Sequence, residues 1–416
     1  MNILVIGSGG REHAIVDAIA RSPKKAKIYA APGNAGIQEL AECVNIKDTD
    51  TVDVVNFCKE KNIDLVVVGP EAGLAAGMVD ACNAAGIKAF GPTKAAAQIE
   101  SSKEFAKNLM KKYNIPTAAY AVFSDYAKAL DYVKKEGCPI VIKYDGLAAG
   151  KGVVIAEDLE QAEKALKDML IDDKFGHSSV VIEEFLDGPE FSFMCFCDGE
   201  NVYPMEISQD HKRAYEGDKG PNTGGMGAYS PVPIITKEDL DYSYKNIMVP
   251  TAKAMVREGV PFKGVLYGGL MKTKTGVKVI EFNSRFGDPE TEVVLPRLES
   301  DIIDIFENIA DGKKISEIKW SKDVTLGIVL ASKGYPLDYK KGFKIEGLEG
   351  LESKVFHMGT KFENGAYYTN GGRVLFVVAK GKTLQEAKDK ALADTQKIKC
   401  DNLFYRRDIG HRALDK

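Results

Sequence analysis

The chain opens with an apolar strand, a glycine turn and an amphipathic helix, NILVIGSGGREHAIVDAIA at residues 2–20, and then repeats that alternation. A continuous apolar run of this length reads as a strand covered on both faces. Strands joined through helices can pair only in parallel, so the alternation demands a helix-covered parallel sheet. Strands are expected over 27–30, 64–68 and 88–90 and helices over 51–62 and 73–86, giving about four strands and a Rossmann-like N-terminal domain that ends near Gly91 and Pro92.

Beyond that point the texture changes to α+β, so the fold class is α/β and α+β multidomain. Helices are expected over 102–113 and 126–136, and strands over 140–143 and 153–156 flank a glycine-rich loop. Strands over 180–185, 190–197 and 201–205 read as antiparallel hairpins, followed by a long loop over 208–233 that its length marks as functional or disordered. A helix over 236–258 and strands over 264–272 and 276–283 complete a central unit. The tail, with strands over 324–331 and 374–379 and a helix over 384–398, reads as a small α/β domain without a catalytic cluster.

Composition removes several classes of function. The 416 residues carry a net charge of -4 with no block of like charge, which argues against a nucleic-acid footprint or a polybasic membrane patch. No apolar run reaches membrane-spanning length. Seven cysteines without CxxC spacing argue against a disulfide framework or a structural zinc site, so a cytoplasmic, reduced chain is expected.

Chemistry concentrates in VIEFNSRFGDPE, residues 279–290. Side chains two apart on a strand share a face, so Glu281, Asn283 and Arg285 can converge on one ligand while Ile280 and Phe282 face the core. Glu and Asn oxygens suit Mg2+, and a guanidinium suits phosphate or carboxylate. A merely wet strand face competes with this reading. The acid-rich turn Gly287, Asp288, Pro289, Glu290, leading into a helix over 291–298, favours a site.

Two glycine loops compete for a nucleotide. The first, Gly7-Ser8-Gly9-Gly10, opens a helix and could receive a monophosphate or serve only as a tight turn. NAD is disfavoured because Glu12 stands where a third glycine is needed and Ala30 and Ala31 stand where an acid is needed. The second follows Lys143 and contains Gly146, Gly150, Lys151 and Gly152 between two strands, as a phosphate-covering lid would. Downstream, Glu183, Glu184, Phe185 and Leu186 form a strand end whose backbone could hold a base, and Glu190 could accept a ribose hydroxyl. Taken singly, each of these acids reads better as hairpin-edge charge.

The order of these parts resembles the ATP-grasp superfamily and, within it, the phosphoribosylamine–glycine ligase family. The resemblance rests on GSGGREHA (7–14), GNAG (33–36), GPE (69–71), SSKEFAK (101–107), KYDGLAAGKGV (143–153), QDHKR (209–213), NTGGMGAYSP (222–231) and EFNSRFGDPE (281–290). It implies ATP-dependent ligation of glycine to 5-phosphoribosylamine through glycyl phosphate, with another ATP-grasp carboxylate-amine or formyl ligase of purine biosynthesis as the alternative. It implies an N-terminal substrate-binding domain over 1–100, an ATP-grasp domain over 101–315 with a lid at about 117–190, and a C-terminal domain over 316–416. Lys103 and Lys143 would hold ATP phosphates, and Glu281 and Asn283 would hold Mg2+, with Mn2+ as an alternative. Arg285 would face the transferred phosphoryl group, and Asp288 the glycine ammonium. Gly9, Asn34 and Glu71 would bind phosphoribosylamine, while Asp210, His211 and Lys212 close over the substrates. A monomer acting on small molecules, without nucleic acid or membrane, is expected. Two departures stand out: the strand over 264–271 offers no second acid for a second metal, and Gly73 stands where the family often has proline.

Overall fold

The computed structural model describes residues 1–147 and 152–414. Gly150 and Lys151, both expected in the lid, lie outside the described residues.

The N-terminal sheet holds five strands rather than about four: β1 (Asn2–Gly7), β2 (Lys27–Pro32), β3 (Glu42–Cys43), β4 (Leu65–Val68) and β5 (Ala89–Phe90). Their order is β3-β2-β1-β4-β5 and every pair is parallel. The additional strand, β3, has two residues and is too short to show a pattern. Alternate residues of β1 enter opposite cores, Ile3 and Val5 on one face and Leu4 and Ile6 on the other. The order reverses beside β1, which leaves a crevice where Gly7 and the turn after Val68 emerge. The helix expected over 73–86 is two, Glu71–Ala75 and Met78–Ala84, broken at Gly77, whose φ is +88°. Gly73 lies inside the first, where a Cβ would come 2.8 Å from the Asp48 carbonyl oxygen.

Strands β6 (Tyr120–Phe123), β7 (Ile140–Tyr144), β8 (Val153–Ala156) and β9 (Val180–Glu184) form a separate antiparallel sheet ordered β6-β9-β7-β8. Ile140, Ile142, Val180 and Ile182 close a small core beneath the helices Tyr126–Glu136 and Leu159–Leu170. The expected hairpin between 180–185 and 190–197 does not form. Instead β10 (Glu190–Gly199) joins the next sheet, beside β11 (Val202–Pro204). The connection is pinned at Gly188, where φ is +150° and a Cβ would meet the Lys272 carbonyl oxygen at 2.1 Å.

Residues 208–233 are more ordered than a loop. They contain β12 (Gln209–Asp210), β13 (Arg213–Tyr215), β14 (Lys219–Asn222) and β15 (Gly227–Ser230). Next come β16 (Phe262–Thr273) and β17 (Gly276–Asn283), which complete the central sheet β11-β10-β16-β17, and β18 (Val324–Ser332) in the tail. β15 pairs with β18, so this segment extends the C-terminal sheet. Strands this short, with a partner so distant in sequence, leave no local signal. The helix expected over 236–258 runs as Lys237–Ser243 and Val249–Arg257 with a π-helical turn, Tyr244–Met248, between them. Pro250, which has no N–H for the helical ladder, lies two residues beyond that turn. The helix Gly10–Ala20 meets the tail where the His357 N–H donates to His13 Nδ1 at 2.9 Å. Among the described residues no helix is long and apolar enough to cross a membrane.

Candidate active site

A cavity of about 750 Å³ opens between the lid sheet, the central sheet and the C-terminal ends of β1 and β4. β17 supplies its floor, though not in strict alternation. A register shift opposite Gly269 and Leu270 makes Ile280 an extra residue, a β-bulge. Ile280, expected in the core, therefore lines the cavity, while Val279 and Phe282 are buried. Glu281 and Asn283 both face the cavity. Among the described residues neither side chain has a hydrogen bond or ion pair, so both present free oxygens. Two such donors match a Mg2+ site whose other positions are filled by phosphate and water, and no cluster of three or more His, Cys, Asp or Glu that could hold a metal occurs among the described residues.

Opposite the floor stand three lysines. Lys103 begins the helix Lys103–Lys112 and donates to the Gly146 carbonyl at 3.0 Å; burial draws its pKa down. Lys143, at the end of β7, donates to the Ile280 carbonyl at 3.0 Å, the oxygen that the bulge exposes. Its Nζ also lies 2.9 Å from Glu183 Oε1, an ion contact without hydrogen-bond alignment. Lys107, one helical turn beyond Lys103, reaches the other Glu183 oxygen at 2.9 Å and Thr117 at 2.8 Å. Burial pushes the Lys107 ammonium down to about 8. Burial alone would raise the Glu183 carboxyl, but Lys143 and Lys107 together hold it below the ordinary carboxylate range. Glu183 thus faces two cations. Its neighbours Glu184, Phe185 and Leu186 line the cavity, as do Gly146 and Gly152 at the two ends of the lid loop.

The far wall is a lattice of paired charges. Arg285 lies 3.1 Å from Glu71 and 2.9 Å from Glu100, and Arg11 reaches Glu71 at 3.7 Å. Despite burial, Arg285 and Arg11 hold Glu71 down to about 2. Asp288 pairs at 3.0 Å with Arg373, which comes from the tail. Glu190 pairs with Lys212 at 2.7 Å, and this contact keeps its carboxyl low. Asp210 faces the cavity beside them, where burial pushes its carboxyl up to about 7.

Three expected contributors do not line the cavity. Asn34 spends its amide on the carbonyls of Ser8 and His357 and on the N–H groups of Gly36 and Ile37. Gly9 stands at the rim, where a Cβ would meet Asp288 Oδ2 at 3.4 Å, and its N–H donates to Glu12 at 2.7 Å. The Glu12 carboxylate fills the turn between Gly7 and Gly69. His211 is fully buried and accepts from the Gly410 N–H at 3.0 Å; burial brings it down to about 4. Conversely, sequence reasoning missed Lys107, Glu100, Tyr267, Tyr335 and Arg373. Lys107 had a signal, its i+4 spacing from Lys103. Arg373 and Tyr335 had none, and they bring the tail, read as free of chemistry, to the cleft.

Family profiles described as the N domain, the ATP-grasp (A) domain and the C domain of phosphoribosylglycinamide synthetase match residues 1–100, 101–291 and 325–412. A phosphoribosylamine–glycine ligase of Halalkalibacterium halodurans is 54% identical over 418 residues, spanning 100% of this chain and 97% of the relative. The crystal structure of a phosphoribosylamine–glycine ligase from Thermotoga maritima superposes with a TM-score of 0.87 at 34% identity, covering 99% of this chain and 100% of that one. A biotin carboxylase from Campylobacter jejuni shares the fold alone, with a TM-score of 0.78 at 16% identity, over 100% of this chain and 95% of that one.

Proposed function

Because the chain belongs to the phosphoribosylglycinamide synthetase family and is an ATP-dependent carbon–nitrogen ligase that joins glycine to phosphoribosylamine in purine biosynthesis, we propose that it works through glycyl phosphate, formed between β17 and the lid. One observation supports this most: Glu281 and Asn283 present oxygens without a partner among the described residues, on the same cavity that Lys103 and Lys143 enter.

Glycine carboxylate and the ATP γ-phosphoryl group are both anionic and approach only where cations neutralise them. Lys103 and Lys143 supply that charge, and the carbonyls of Gly146 and Ile280 orient the two ammoniums. Glu281 and Asn283 would hold Mg2+, or Mn2+, which would supply positive charge to offset that of the phosphates. The backbone of residues 183–186 grips the base and Glu190 a ribose hydroxyl. Arg285, fixed between Glu71 and Glu100, lends its positive charge to the phosphoryl group, and Asp288 holds the glycine ammonium. Glycine oxygen then bonds to phosphorus as the bond to ADP breaks. The nitrogen of phosphoribosylamine, held near Glu71 and the Gly9 rim with Asp210 and Lys212 above it, attacks the acyl carbon and phosphate leaves. Residues 146–152 keep water from the acyl phosphate. Residues 1–100 thus serve the amine, 101–315 the nucleotide, and 316–416 brace the wall through Arg373. The compartment is the cytoplasm and the partners are small molecules.

Positional isotope exchange tests the intermediate. With ATP labelled in the β,γ-bridge, glycine and Mg2+ but no amine, label scrambles in the wild type; absence of scrambling rejects glycyl phosphate. Glu281→Ala removes the metal ligand and is expected to lower turnover by at least about 1000-fold and to erase the Mg2+ dependence of ATP binding. Unchanged turnover would remove Glu281 from the metal site.

A further inference from the structure

Acyl transfer to an amine releases a proton, and the cleft contains many carboxylates but few that are free to take it. Glu71, Glu100, Glu183, Glu190 and Asp288 are each paired with lysine or arginine. Glu290 accepts from Tyr267 at 2.7 Å and from Ser192 at 3.1 Å. Glu184 contacts Lys278, and Asp187 is exposed on the hinge. With Glu281 facing the metal position, Asp210 is left. Among the described residues its carboxylate has no hydrogen bond or ion pair, although only 8% of the residue is exposed.

Its backbone is well anchored. Asp210 pairs with Ala228 across β12 and β15, and Arg412 donates to its carbonyl at 3.4 Å. The side chain sits beside the acyl-transfer end of the cleft. Gly225, with φ +115°, separates it from the Asp288-Pro289 turn: a Cβ there would lie 2.6 Å from Pro289 and 3.7 Å from Asp210 Oδ2. The charged groups around Asp210 are Lys212, Glu290, Glu190 and Arg412; burial with Glu290 and Glu190 outweighs the two cations and leaves a carboxyl of about 7, suited to exchanging protons near neutrality.

We propose that Asp210 is the proton acceptor in the amide-forming step, an assignment that rests on the glycyl phosphate reading. The nitrogen lone pair of the amine forms the C–N bond at the acyl carbon. The C–O bond to phosphate breaks with its electron pair on phosphate. One N–H proton passes to an Asp210 oxygen and leaves to solvent as product departs.

The full-length enzyme and its Asp210→Asn and Asp210→Glu variants test this in two assays. Positional isotope exchange with ATP, glycine and Mg2+ reads the first half-reaction, and glycinamide ribonucleotide formation between pH 5.5 and 8.5 reads the whole. Asp210→Asn is expected to keep exchange within threefold of wild type, to lose product formation by about 100-fold or more, and to lose the acid limb of the pH profile. Asp210→Glu restores product formation, with that limb displaced. The proposal is overturned if Asp210→Asn makes product within tenfold of wild type, if exchange and product fall together, or if Asp210→Glu is no better than Asp210→Asn. Absent exchange in the wild type instead sinks the glycyl phosphate reading, and this assignment with it.

Discussion

Replacing Glu183 with glutamine leaves Lys107 and Lys143 buried without the carboxylate that lies 2.9 Å from each. Only 4% of the Glu183 side chain is exposed, so water cannot substitute for it. Stripping the partner from a buried charge costs about 3–5 kcal/mol. A ceiling comes from the alternative of deprotonating a lysine at pH 7, about 4.6 kcal/mol for an ordinary pKa near 10.4. The unit that contains the lid should therefore melt roughly 6–20 °C lower at pH 7. Lys107 already has a folded-state pKa of about 8, below its ordinary value, so the unfolded chain holds more protons above that pH and stability gains as pH rises. In the variant that gain steepens, because shedding a lysine proton relieves the repulsion. Between pH 7 and 9 the variant gains at most about 2.7 kcal/mol while the wild type gains about 1.4 kcal/mol as Lys107 sheds its proton, so the deficit should shrink by up to about 1.4 kcal/mol over that interval. Thermal unfolding of both proteins followed by circular dichroism at those two pH values measures it. A deficit below about 1 kcal/mol at pH 7, or one that does not change with pH, would refute the view of Glu183 as the counter-charge of two buried lysines.

Two further outcomes follow from the charges that join the domains. Burial holds His13 at about 3 and His211 and His357 at about 4, below the ordinary value near 6.5, so below that pH the unfolded chain takes up protons that the folded one refuses. Their stabilisation is complete above pH 6.5 and should fall by about 1 kcal/mol each by pH 5.5; a melting temperature that stays level over that interval would contradict three neutral buried imidazoles. Asp218 contacts Arg406 at 3.1 Å, Arg412 at 3.0 Å and His411 at 3.3 Å, clamping the β13–β14 hairpin to the C-terminal segment. His211, 3.9 Å away, and then the arginines hold its carboxyl below the ordinary range, so the clamp is intact above about pH 4 and weakens below it. Because the site is partly solvated, Asp218→Asn should cost only about 1 kcal/mol, yet trypsin should cut at Arg406 and Arg412 several times faster at pH 8; unchanged cleavage would show that the segment is held by other contacts.

Much of the site was legible because its chemistry is local. In β17, the oxygens of Glu281 and Asn283 sit two apart at a strand end, and a period of two is visible in any sequence. Lys143 could be placed because a strand leads into the glycine-rich loop that follows it. The bulge at Ile280 was not legible: one extra residue depends on how β16 pairs across the sheet. Nor was the separation of β9 from β10, because two good strands with a turn between them look like a hairpin whether or not they share a sheet. Asn34 was misplaced for a similar reason, since its amide is consumed by the carbonyls and N–H groups that the fold brings to it.

By itself, the sequence determined the parallel N-terminal sheet, the antiparallel units after it, the strand that carries Glu281 and Asn283 and the strand that ends at Lys143, along with the family's motifs in order. These depend on periodicity, turn residues and side-chain chemistry within a dozen positions. Only the tertiary structure decided which charges are spent. Arg285 meets Glu71 and Glu100 from another domain, Arg373 crosses from the tail to Asp288, Glu183 gathers two lysines, and among the described residues the Asp210 carboxylate in the cleft has no partner. Pairing and desolvation are properties of neighbours far apart in the chain, and they set which carboxylate is a strut and which is free to take a proton.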